Sequence, residues 1–112
     1  MTYTINGKDY TKLDISVRCA ELLGIDSHVV EWDFGWMIIY SYKGRNTTYE
    51  PCNKPEDAWP IIEKCWDELM CVNDVILGGG VYSSETEWDE IIGKYDCTKL
   101  TAACICLIEI NS

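Results

Sequence analysis

Trp36, Tyr40, Tyr42, Tyr49 and Trp59 gather along one part of the chain, with Lys43, Arg45 and Lys54 among them. Aromatic faces can sandwich a purine, and cationic side chains can meet its phosphates. The stretch "YEPCNKPEDAWPIIEK", residues 49–64, adds three prolines and a helix start. Asp57 reads as the N-cap of that helix, with Ala58, Trp59 and Pro60 in its first turn, where a missing amide costs little. Free amides at a helix N-terminus receive phosphate, although an acid at the cap opposes an anion unless a ribose hydroxyl bonds to it. The candidate ligand-binding set is therefore Trp36, Lys43, Arg45, Tyr49, Asn53, Asp57 and Trp59. The chemistry it implies is non-covalent recognition of a nucleotide-derived small molecule. The competing reading is that five Trp and seven Tyr in 112 residues simply fill a small core.

Catalytic patterns do not emerge. His28 is the single histidine and has no serine or cysteine partner motif. Gly78-Gly79-Gly80 lacks the Lys-Ser/Thr of a P-loop and the spacing of a dinucleotide fingerprint, so it reads as a turn. The acid pairs Asp67-Glu68 and Asp89-Glu90 read as solvated helix faces. The expectation is a protein that is not an enzyme and uses no cofactor. The seven cysteines (Cys19, Cys52, Cys65, Cys71, Cys97, Cys104 and Cys106) form no C-x-x-C and no zinc-ligand spacing. Most lie among apolar neighbours and read as reduced, core-filling thiols.

The balance of 19 acids against 9 bases gives a net charge of −10. Such a surface repels nucleic-acid phosphates and anionic membranes, so direct binding to either is disfavoured. The first six residues lack the pattern of a signal peptide, and no apolar run approaches the ~20 residues that span a bilayer.

The elements that must position these residues follow from periodicity. Thr2–Ile5 suits a short strand, with Asn6-Gly7 as a turn. Ile15, Cys19, Leu22 and Leu23 recur at helical spacing over about 13–23, with Thr11 as cap and Gly24 as stop. Val29–Trp32 and Trp36–Tyr42 read as strands, and Thr47–Tyr49 returns after a turn at 43–46. Trp59, Ile62, Trp66 and Leu69 form an apolar stripe on the next helix. Cys71–Leu77 and Val81-Tyr82 are extended, and a short helix capped by Ser84 follows. The last helix, Leu100–Ile110, turns Leu100, Ala103, Cys104, Leu107 and Ile108 inward. The order predicts a single α+β domain, a small antiparallel sheet with about three helices packed on it.

Four segments, "LDISVRCAELLG", "EWDFGW", "YEPCNKPEDAWPIIEK" and "KLTAACICLIEI", occur in the order seen in the phage NinX family, which the chain resembles over nearly its whole length. Trp32, Asp33, Tyr49, Pro51, Asn53, Trp59, Pro60 and Ile62 fall on recurring positions of that pattern. Lys99 and Thr101 bracket a place where the family often has Pro-Leu-Arg, and this chain departs there. The resemblance implies that residues 1–112 form one NinX-like domain, a phage accessory protein made in the cytoplasm of a bacterial host. Small accessory proteins of this kind often disable host defence. The expected function is therefore counter-defence, by sequestering a nucleotide-derived immune signal without catalysis. The alternative is an acidic, DNA-mimicking inhibitor of a host nuclease or other defence protein. A surface this aromatic on a small domain also predicts a homodimer or higher homo-oligomer.

Overall fold

The structure, a computed structural model, describes residues 2–32, 35–42, 44–77 and 81–111, with Trp32, Tyr42, 73–77 and 81–84 described by their backbone. Twelve elements follow one another along the described residues: β1 (Tyr3–Ile5), β2 (Lys8–Tyr10), α1 (Lys12–Leu23), β3 (Ser27–Trp32), β4 (Gly35–Tyr42), β5 (Arg45–Thr48), α2 (Pro55–Lys64), α3 (Trp66–Leu69), β6 (Val72–Leu77), β7 (Val81–Thr86), α4 (Glu87–Tyr95) and α5 (Lys99–Ile110). The class is α+β with antiparallel pairing throughout. The strands form three separate units, β1-β2, β3-β4-β5 and β6-β7.

Local chemistry explains the ends of the elements. Asn6 and Gly7 both take positive φ, which turns β1 back into β2, a strand that periodicity did not reveal. Thr11 and Asp14 cap α1 reciprocally, and Gly24 stops it at a φ of 71°. Thr86 and Asp89 form the same box on α4. Ser84, the expected cap, instead lies inside β7, paired with Asp74.

The centre of the molecule is α5. Its residues from Thr101 to Ile108 are all buried, and α1, α2 and α4 pack on it. A helix apolar on every side must be surrounded. The inward set expected from the sequence is therefore too small, because Ala102, Ile105 and Cys106 are equally enclosed, while Leu100 is only half-buried.

Two expectations for α2 are corrected. Its N-cap is Lys54, with Pro55 at the first helical position, so Asp57 is the third helical residue and not the cap. Pro55 takes the place because its fixed φ suits a helix start and its missing amide is not needed there. Pro60 consequently lies deeper than the first turn, on an exposed position, and removes the amide that would bond the Glu56 carbonyl. The apolar stripe also divides. Ile62 and Leu69 are buried, but Trp59 and Trp66 are 54% and 47% exposed. The face against α5 is built from Ala58, Ile61, Ile62 and Cys65, whose small members let the helices approach closely. A break at Cys65 then resets the phase before α3.

These burial patterns make opposite predictions for two large side chains. Ile105→Ala is expected to cost about 2–5 kcal/mol in denaturant unfolding, because it opens a cavity in the central helix. Trp59→Ala is expected to stay within about 1 kcal/mol, as for other surface truncations.

Candidate functional site

The residue following β5, Tyr49, lies at the junction of the β3-β4-β5 sheet, α1 and the loop that enters α2. Its amide donates to the Ile38 carbonyl at 2.8 Å, which prolongs the pairing with β4. Its ring is 3% exposed and clusters with Ala20 and Ile38, apart from the main core. Tyr40 meets it edge-on, with ring centroids 5.4 Å apart.

Asp57 organises the polar groups around this pair. One carboxylate oxygen accepts the Tyr40 hydroxyl at 3.0 Å, and the other accepts the Glu50 amide at 3.0 Å. The carboxylate thus ties β4, the entering loop and α2 together. The Glu50 carbonyl accepts the amides of Asn53 and Lys54, which closes the loop into a turn. The Lys54 ammonium donates to the Thr48 hydroxyl at 2.6 Å and lies 3.7 Å from the Glu50 carboxylate. Tyr49 is the exception. Its hydroxyl is buried without a hydrogen-bond partner among the described residues. Burial is the main cause that raises its pKa well above the usual 10.0, with smaller contributions from Cys19, Cys104, Asp57 and Tyr40.

Two concavities share Tyr49 as a wall. The larger, about 490 Å³, is bounded by Ile25, Tyr40, Thr47, Lys54, Asp57 and Pro60 as well. The smaller, about 180 Å³, is bounded by Lys12, Ser16, Trp36, Cys52 and Asn53 among others. The seven residues expected to form one site are therefore distributed. Asp57 and Tyr49 border the larger concavity, while Trp36, Asn53 and again Tyr49 border the smaller. Trp36 is 61% exposed there. Arg45 is exposed at the start of β5 and lines neither concavity. Lys43 lies outside the described residues.

Trp59 belongs to a separate surface, a shallow depression shared with Glu63 and Trp66. The reason is angular. Two residues along a helix turn about 200°, so the buried carboxylate of Asp57 and the ring of Trp59 leave α2 in nearly opposite directions. The expected phosphate seat at the start of α2 also loses its electrostatic advantage, because Glu56 and Asp57 already occupy the first turn. Residues outside the expected set supply what is missing. Tyr40 and Lys54 replace Trp36 and Arg45 around the larger concavity, and Lys12, Ser16 and Cys52 complete the smaller one. Lys54 had a sequence signal, as a cation within the aromatic stretch. Lys12 and Ser16 had none, because α1 is distant in the chain. His28 is exposed on β3, opposite Ile39.

Among the described residues, no group of three or more His, Cys, Asp or Glu side chains could hold a metal ion, and no helix is long and apolar enough to cross a membrane. No protein-family model, curated protein or solved structure matches the chain, so the resemblance to the phage NinX family stands on the sequence motifs alone.

Proposed function

We propose that this chain binds a small nucleotide-derived molecule without transforming it, and that the larger concavity beside Tyr49 is the seat. The observation that carries this reading is the concavity itself, on whose wall Tyr40, Tyr49, Lys54, Asp57 and Pro60 converge. The volume, about 490 Å³, lies within the range of small-molecule pockets. Tyr40 and Pro60 offer flat apolar surface for a base. Asp57 uses each carboxylate oxygen once and retains lone pairs for a sugar hydroxyl, while Lys54 is the nearby cation. Through its resemblance to phage accessory proteins, the chain would do this in the bacterial cytoplasm, as a counter-defence protein that sequesters an immune signal.

A second reading rests on Trp59 and Trp66, two half-exposed tryptophans with Glu63 between them on one surface of an acidic protein. Tryptophan is enriched among the residues that dominate protein interfaces. A basic host defence protein is the partner suited to this patch, and a second copy of the chain would account for the expected self-association.

Calorimetry with a panel of nucleotides and cyclic nucleotides tests the first reading through Lys54→Ala, beside Tyr49→Phe. Unliganded Tyr49→Phe is expected to be about 1–3 kcal/mol more stable, because the orphan hydroxyl is gone. The affinity of Lys54→Ala for the bound nucleotide is expected to fall about tenfold, the equivalent of roughly 1.4 kcal/mol. Unchanged affinity of Lys54→Ala for a nucleotide that binds the wild type would remove the larger concavity as the seat.

Alkaline unfolding gives an independent check. The folded state holds the Tyr49 proton above the usual 10.0, whereas the unfolded chain releases it there. The folded protein therefore binds more protons above that pH, and stability falls as pH rises further. Tyr49→Phe is expected to flatten this part of the pH–stability curve.

Trp59→Ala separates the two readings. It is expected to leave nucleotide titrations unchanged. If the tryptophan patch is the working surface, the same variant loses a partner recovered from infected cells, and that binding weakens with salt.

A further inference from the structure

The wall of the larger concavity carries more negative charge than positive. Among the described residues, its charged groups are Lys54, Glu56 and Asp57. The Lys54 ammonium has three protons to give. It donates to the Thr48 carbonyl at 3.3 Å and to the Thr48 hydroxyl at 2.6 Å, and the Glu50 carboxylate stands 3.7 Å away. One proton at most is left for a ligand anion, and the charge behind it is already shared with Glu50. Asp57 is held by the Tyr40 hydroxyl and the Glu50 amide, so it does not swing away from an incoming anion. Glu56 is exposed on the same wall.

The backbone offers phosphate little more. Pro55 has no amide proton. The Lys54 amide donates to the Glu50 carbonyl at 2.8 Å, and the Asp57 and Ala58 amides donate to the Lys54 carbonyl at 3.1 and 3.0 Å. A row of phosphates is held by several free amides or cations converging on it. This wall presents acceptors where those donors would stand. Acceptors suit hydroxyls, and a ribose diol brings two donors that an acidic side chain can receive.

We propose that this concavity selects a ribonucleoside or its monophosphate over the di- and triphosphates, with Asp57 and Glu56 as the specificity-determining carboxylates. The inference rests on the proposed nucleotide-binding role and narrows its ligand class. The sugar hydroxyls donate to Asp57 and Glu56, and the base lies on Tyr40 and Pro60. A single phosphate takes the spare Lys54 proton. Each further phosphate adds charge beside two carboxylates, on a protein whose net charge is already −10.

The test is calorimetry with the common ribonucleosides and their mono-, di- and triphosphates, at low and high salt, on the wild type and Glu56→Gln. For the base that binds, affinity is expected to fall about threefold or more with each phosphate beyond the first. Salt is expected to narrow that gap, the reverse of its effect at a cationic phosphate site, because it screens a repulsion. The deoxynucleoside is expected to bind about tenfold more weakly, since a hydroxyl that faces a carboxylate is lost. Glu56→Gln, an exposed change that leaves Asp57 and its bonds in place, is expected to bring the triphosphate about threefold closer to the nucleoside. A triphosphate that binds as tightly as the nucleoside, a deoxynucleoside equal to its ribose form, or a gap that Glu56→Gln leaves unchanged would overturn the proposal while the nucleotide-binding role stood. Absence of binding by every member of the series would overturn both.

Discussion

The burial of α5 on every side is the constraint from which the rest of the architecture follows. Eight successive residues, Thr101–Ile108, have no solvent-facing side. Each must meet a partner from α1, α2, α4, α3 or β1. The approaching helices answer with small or flat residues, among them Ala58, Cys65 and Cys19. The same demand accounts for most of the sulfur in the chain. Cys19, Cys52, Cys65, Cys104 and Cys106 are all buried in this one region, and Cys19 donates to the Cys104 carbonyl at 3.7 Å. Thiols suit such contacts because they are compact, polarizable and only weakly polar.

Away from α5, a single carboxylate joins the sheet to the helices. Asp57 satisfies an amide in the loop and a hydroxyl on β4 at once. This arrangement holds Tyr40, Tyr49 and Lys54 in fixed relation and leaves hollows on either side of Tyr49. Among the described residues, the buried side-chain polar atom without a partner is the Tyr49 hydroxyl. A phenylalanine would fill the same space without that cost. The presence of the hydroxyl is a cost that packing alone does not require.

Secondary structure was largely legible where a local signal was strong. The cap at Thr11 and the stop at Gly24 correspond to short-range chemistry and appear where the sequence placed them. The β4-β5 hairpin forms with a shorter turn than expected, because Arg45 and Asn46 already belong to β5 and pair with Tyr42 and Ser41. Errors arose where two local signals competed. Both Lys54-Pro55 and Asp57 can start a helix, and proline at the first position prevailed. Thr86 prevailed over Ser84 because Ser84 was already committed to a strand ladder.

The amino-acid sequence by itself determined the α+β class, the acidic surface and the concentration of aromatics around residues 36–59, because these follow from composition and from interactions spanning a few residues. Only the tertiary structure decided which aromatics face each other. Trp59 and Tyr49 lie close in sequence, yet one is exposed and the other is enclosed. Periodicity describes a helix face only relative to itself. The direction of that face in space depends on where the helix starts and on what it packs against. The start of α2 at Pro55 and its contact with α5 turned Trp59 outward and Asp57 inward. Likewise, Cys52 and Cys104 enter one core cluster only through the tertiary fold, which brings together residues far apart in the chain that no local pattern relates.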